Sequence, residues 1–220
     1  MLFDSHAHIN NDTYTEEERE ALIKEIESSD VSYVMDIGYD LESSLRAVKD
    51  AQRLPWCYAV VGVHPHDTKT MDEDVLAMIK HLAGKDKVQA IGEIGLDFHY
   101  NHSEQDVQEY WFRRQIQLAN ELKLPIVIHS READQRTMDI LKEEKAFSDE
   151  RCSWFPKRVG AGGVLEKAAR VLLHCFSGSS QLGQQYVKLG ATLSVAGPVT
   201  YKNNRKTVET VEAIPLEYLL

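Results

Sequence analysis

Leu2-Phe3-Asp4-Ser5-His6-Ala7-His8 opens the chain, and its reading governs the rest. The run begins apolar and ends in two histidines spaced two apart. On a β-strand, residues i and i+2 point to the same side, so His6 and His8 converge on one point, as metal ligands must. Further strand-like runs over residues 58–64, 88–93, 125–129 and 171–174 end in His64, Glu93, His129 and His174. One histidine after a strand is ordinary. Five ligand-bearing strand ends in one chain predict a metal site assembled at one mouth of a β/α barrel.

The intervening sequence supports that architecture. Short β-rich runs alternate with helical patterns, the rhythm of a parallel sheet built from right-handed crossovers. Strands are expected over 2–8, 32–38, 57–63, 88–94, 126–130, 170–176 and 192–196, and an eighth begins at 217–220. Helices are expected over 15–29, 41–53, 72–82, 105–122, 132–144, 180–189 and 204–213. The first starts Thr15-Glu16-Glu17-Glu18, a capping-box pattern with acid in the first turn. In the fourth, Trp111, Gln115, Leu118 and Leu122 share a stripe with Ile116 and Ala119 beside it, which reads as core packing. The fold class is therefore α/β, a TIM-type barrel in one domain over residues 1–220. Residues 145–166, with Pro156, Gly160, Gly162, Gly163 and the Trp154-Phe155 pair, are too long for an ordinary αβ connection and read as a surface insertion. It is a candidate for substrate or subunit contact.

Composition narrows the class. The 220 residues are 43% hydrophobic and 27% charged, ordinary for a globular domain and unlike a disordered chain. No apolar run approaches the roughly 18 residues that span a bilayer. Cys57, Cys152 and Cys175 are odd in number and scattered, which reads as reduced thiols in a cytoplasmic protein. A formal net charge of −10 argues against a nucleic-acid binder with a broad basic face. It leaves room for a nucleic-acid enzyme, because bound divalent cations add positive charge where a phosphate sits.

Glu93 lies in Ala90-Ile91-Gly92-Glu93-Ile94-Gly95-Leu96-Asp97, where a carboxylate inside an apolar strand is costly to bury unless paired or metal-bound. With His6, His8, His129 and His174 it makes a mixed nitrogen and oxygen donor set suited to Zn²⁺, Mn²⁺ or Mg²⁺. Its carboxylate is available to bridge two such ions. Lys202, Arg205 and Lys206 surround a helix start at Asn203-Asn204, an arrangement that suits a phosphate and equally reads as a solvated charge run.

The segments Phe3-Asp4-Ser5-His6-Ala7-His8, Gly62-Val63-His64-Pro65-His66, Gly92-Glu93-Ile94-Gly95-Leu96-Asp97, Ile128-His129-Ser130-Arg131 and Leu173-His174-Cys175-Phe176-Ser177-Gly178 resemble the TatD family of metal-dependent DNases, which belongs to the amidohydrolase-like TIM-barrel hydrolases. The resemblance runs from residue 2 to about residue 206, interrupted by the insertion. It implies a two-metal phosphodiesterase: His6 and His8 on the first ion, Glu93 bridging, and His129 and His174 on the second. It also implies that His64 contacts the scissile phosphate and that Asp97 and Arg131 face the same mouth. In the family the eighth strand ends in Glu-Thr-Asp, whose aspartate binds the first ion. The sequence stops at Pro215-Leu216-Glu217-Tyr218-Leu219-Leu220, about where that motif begins, so the eighth strand and the following helix are expected to be cut short.

The leading expectation is a hydrolase of DNA phosphodiester bonds, a 3′-5′ exodeoxyribonuclease on single-stranded ends that uses two divalent ions to activate water. Glu93 and His64 carry the chemistry, and Arg131, Asp97 and Lys202 bind substrate. The expected partner is single-stranded DNA, with no membrane and a monomer favoured. The alternatives are an amidohydrolase-type enzyme on an amide or lactone, or an inactive metal-binding remnant lacking the last aspartate.

Overall fold

Thr15 does what its sequence context predicts. Its hydroxyl accepts the Glu18 N–H at 3.2 Å and the Glu18 carboxylate accepts the Thr15 N–H at 2.8 Å, closing the capping box that starts helix α1, Glu16–Ser28. Strand β1 (Leu2–Ala7) precedes it, and β2 (Val31–Ile37), α2 (Leu41–Arg53), β3 (Cys57–Val61), α3 (Glu73–Ala83), β4 (Val88–Asp97), α4 (Gln105–Leu122), β5 (Ile126–Arg131) and α5 (Asp134–Glu143) follow. Next come α6 (Asp149–Ser153), β6 (Arg158–Val159), β7 (Leu165–Glu166), β8 (Val171–Leu173), α7 (Ser180–Lys188), β9 (Thr192–Leu193) and α8 (Arg205–Ala213). The computed structural model describes residues 2–220.

All seven strands of the main sheet are parallel, in the order β1-β2-β3-β4-β5-β8-β9. The sheet curls into an incomplete β/α barrel. Alternation along each strand explains why the sequence reads as continuous apolar runs. Val60, Ala90 and Val127 join Ile37 in a small inner cluster, whereas their neighbours Val61, Ile91, Ile126 and Ile128 face outward into the larger core. That core includes Trp111, Phe112, Ile116 and Ala119 of α4, so the expected stripe is core packing. A register shift between Ile91 and Ile94 interrupts the alternation where Glu93 sits. At Gly95, where φ is +146°, a Cβ would lie 1.9 Å from the His129 carbonyl oxygen, so only glycine lets β4 and β5 run this close.

Several boundaries depart from the sequence expectation, among them β3, which ends at Val61 instead of 63, and β9, which ends at Leu193 instead of 196. β4 continues to Asp97, three residues past the expected end at residue 94. β8 stops at Leu173 instead of 176, because Cys175 turns the chain with φ +44°. Residues 217–220 do not form a full strand: Leu216–Tyr218 make a 3₁₀ turn, and only Leu219 bridges Leu193 in parallel beside β9.

Residues 145–166 hold α6 and the antiparallel β6–β7 hairpin. Their anchor is Arg151, 0% exposed, which donates to the carbonyls of Ala169 at 3.0 Å and Leu124 at 2.9 Å and to Asn120 Oδ1 at 2.5 Å. Leu124 and Ala169 precede β5 and β8, so this segment sits at the amino ends of the strands.

Candidate metal centre

The carboxyl ends of the strands bring six histidines and two carboxylates together. His6 lies near the end of β1 and His8 just past it, and their Nε2 atoms lie 3.2 Å apart. His8 Nδ1–H donates to the Ile37 carbonyl at 2.8 Å, which fixes its tautomer and leaves Nε2 as the free donor atom. Glu93 is 4% exposed and central. Its Oε2 lies 3.3 Å from His6 Nε2, and its Oε1 lies 3.1 Å from His129 Nδ1. One carboxylate therefore addresses two separate groups of imidazoles.

The donor atoms of His6, Glu93 and His174 all lie within 4.8 Å of one another, as do those of His64, Glu93 and His129, and each group is able to hold a metal ion. The His174 ring lies over that of His6, with centroids 3.3 Å apart and planes inclined by 13°. The resemblance grouped His174 with His129, whereas this arrangement sets His174 against His6 and His64 against His129, with ring centroids 4.3 Å apart. His64 lies past the end of β3, capping a 3₁₀ helix (Pro65–Thr70). There its Nδ1 accepts the His66 backbone N–H at 3.2 Å, so a neutral His64 carries its proton on Nε2.

Asp97 is 1% exposed and its oxygens are fully engaged. Oδ2 lies 3.0 Å from His129 Nε2 and 2.9 Å from His66 Nε2. Oδ1 accepts the backbone N–H of His99 at 3.1 Å and of Tyr100 at 2.9 Å. Arg131, at the end of β5, holds its guanidinium 4.6 Å from the Tyr100 ring centroid. Lys202 is exposed in the turn before α8, beside Arg205, and among the described residues it makes no ion pair or hydrogen bond to the cluster.

The electrostatics suit a cation. Burial lowers His64 and His174 to about 3, so both imidazoles are neutral and carry a lone pair. Burial, then the neighbouring His6, also lowers His8. Burial would raise the Glu93 carboxyl, but hydrogen bonds from His129 and His6 outweigh it and hold the group well below the usual range. His129 sits between two carboxylates, and despite burial Asp97 and Glu93 raise it to about 9. His6 Nδ1 is buried without a hydrogen-bond partner. Glu93 among the lone-pair imidazoles of His8, His64 and His174 fits a divalent ion by donor chemistry, and an ion held by His129 would displace the proton that its two carboxylate neighbours keep on it.

Three supporting residues escape sequence reading. Gln115 of α4 binds both backbone groups of Val63, at 2.8 and 3.0 Å, and so fixes the residue before His64. Gln108 of α4 accepts the Asp97 N–H at 2.8 Å and donates to the Asp97 carbonyl at 3.1 Å. Asn10, 0% exposed, donates to Asp36 Oδ1 at 2.8 Å and to the Ile37 carbonyl at 2.9 Å, the same oxygen that orients His8. A polar residue on an apolar helix stripe is the sequence signal for the two glutamines. Asn10 carries none.

Barrel, ligand-bearing strand ends and a carboxylate between two histidine groups define a metal-dependent hydrolase. The chain matches the TatD related DNase family over residues 3–220 and belongs to it. It is 39% identical, over its whole length and 78% of the relative, to the uncharacterized metal-dependent hydrolase YabD of Bacillus subtilis. It is 32% identical to the 3′-5′ ssDNA/RNA exonuclease TatD of Cronobacter sakazakii, covering 98% of this chain and 73% of that one. Among solved structures, the TatD homolog YJJV of Escherichia coli superposes with a TM-score of 0.82 at 25% identity, covering 100% of this chain and 77% of that one. No helix among the described residues is long and apolar enough to cross a membrane.

Proposed function

We propose that this metal-dependent hydrolase is a cytoplasmic 3′-5′ exonuclease that cleaves phosphodiester bonds at the ends of single-stranded DNA with two divalent ions, Mg²⁺, Mn²⁺ or Zn²⁺. The observation that carries the reading is Glu93, buried between two histidine groups with one oxygen turned to each. His6, His8, Glu93, His129 and His174 hold the ions, with Glu93 shared. The name of the Cronobacter relative, a 3′-5′ ssDNA/RNA exonuclease, supports the substrate class and polarity.

Bound ions would activate water and neutralise the charge developing on the oxygens of an in-line displacement. The chain's own groups do the rest. Glu93 brings fixed negative charge to a site that water reaches poorly, and His8, oriented by Ile37, presents Nε2. His64, neutral with its proton on Nε2, offers that hydrogen to a non-bridging phosphate oxygen. Asp97, saturated by four donors, positions His129 and the turn that follows β4. Arg131 and Lys202 contact the strand's phosphates.

Glu93→Gln tests this directly. Plasma mass spectrometry should find about two ions per chain in the parent, and sharply fewer in the variant. Shortening of a 5′-labelled single strand from its 3′ end should fall by at least about 100-fold, with the circular dichroism spectrum unchanged. Unchanged turnover in Glu93→Gln would refute the shared-ligand role. Shortening from the 5′ end alone would refute the polarity.

A further inference from the structure

The proposed metal ligands and phosphate contacts leave the aromatic rings around Arg131, at the rim of the mouth, without a role. Tyr100 is 52% exposed, an unusual amount for a large ring so close to a buried carboxylate. Its ring is nearly parallel to that of His102, inclined by 7° with centroids 5.6 Å apart. His66 meets both edge-on, at 5.6 Å from Tyr100 and 4.6 Å from His102. The Arg131 guanidinium rests 4.6 Å from the Tyr100 centroid. Among the described residues Arg131 has no carboxylate partner, although the chain carries a net charge of −10. Position is fixed as well as composition: Asp97 accepts the Tyr100 N–H at 2.9 Å with one oxygen and contacts His129 with the other.

We infer that Tyr100 and His102 form a stacking platform for the base of the terminal nucleotide, with Arg131 taking the adjoining phosphate. This rests on the nuclease reading above and extends it from the cleaved bond to the base. An exposed aromatic ring faced by a guanidinium without a carboxylate partner matches a planar base joined to an anion. Stacking does not choose among bases, because every base has a π-face, so the platform serves an enzyme that degrades a strand regardless of sequence. It also selects unpaired ends, since a base within a duplex is already stacked on its neighbours. Arg131 exchanges the Tyr100 ring for a phosphate oxygen when a strand arrives, which frees that ring face for the base.

The test compares a short labelled single strand with one of equal length whose 3′-terminal nucleotides are abasic. Fluorescence anisotropy in EDTA reads binding without metal, and Mn²⁺ then reads shortening. Tyr100→Leu should weaken binding of the base-bearing strand by roughly five- to tenfold and leave the abasic strand unchanged. Tyr100→Trp should restore it. Tyr100 is exposed, so a thermal midpoint close to that of the parent is expected for both variants and confirms that they fold. Equal weakening of both strands, or none, overturns the platform. If the parent shortens strands and Tyr100→Leu does so equally well, the platform alone falls. If the parent shortens neither strand, the nuclease reading falls and takes the platform with it.

Discussion

Asn10 and Asp36 are both fully buried and bonded to each other beneath His8. The turn that follows His8 has little freedom left. The Ile9 carbonyl accepts from Arg19 at 3.1 Å, the Asn10 carbonyl accepts from Arg46 at 2.8 Å, and the Asn10 N–H donates to Asp36 at 3.2 Å. Arg19 also pairs with Asp50. Burial, then the nearby Asp50, raises the Asp36 carboxyl from 3.8 to about 8, so it stays protonated at neutral pH. The folded chain thus keeps a proton that the unfolded chain has released between those two values. Stability from this group is present at low pH and is lost as pH rises toward 8, by at most about 1.4 kcal/mol per pH unit. Asp36→Asn keeps a neutral side chain of the same shape and removes that titration. The difference in urea midpoint between variant and parent should therefore grow in the variant's favour from pH 5 to pH 8. A difference that stays constant over this range would show that Asp36 is ionised in the fold.

At the scale of elements, α6 hangs on one residue. Arg151 makes three hydrogen bonds with no carboxylate partner, and burial lowers it to about 10. Arg151→Ala would strand the Ala169 and Leu124 carbonyls, and it should cost about 3 kcal/mol in denaturant unfolding. Because the segment lies at the opposite end of the barrel from the histidines, KM for a single strand should not change in the surviving folded protein. A raised KM with unchanged stability would instead place 145–166 against the substrate. Such a role is invisible in sequence, where Arg151 reads as one more charge in a polar stretch. His6 and His8 were legible because strand periodicity forces convergence, and Glu93 because an apolar run makes a lone carboxylate conspicuous. The β6–β7 hairpin was not, since strands of two residues have no period to read. Nor was the early end of β8, where the left-handed turn falls on Cys175 and not on a glycine or proline.

For the whole molecule, the proposed substrate raises the question of how a chain with 35 acidic and 25 basic residues would hold a polyanion. Part of the answer is that three arginines are committed elsewhere. Arg113, Arg114 and Arg136 are neutralised on the helical exterior by Glu143, Glu144, Glu73 and Glu109. Arg131 stays free at the mouth, and ions bound beside Glu93 would add the remaining positive charge. Release of counterions should consequently be slight. In EDTA, the logarithm of single-strand affinity against the logarithm of salt should have a slope no steeper than about −2, since a single strand gives roughly −0.7 per neutralised phosphate. Arg131→Ala should make that slope shallower by about 0.7, uniformly across base sequences, because phosphate contacts position a strand without reading it. Mn²⁺ at saturating concentration should tighten binding in the parent far more than in Glu93→Gln. A slope near about −5 in the metal-free protein, typical of many phosphate contacts, would require an extended basic track. The charges paired along α4 and α5 would then have to open to supply it.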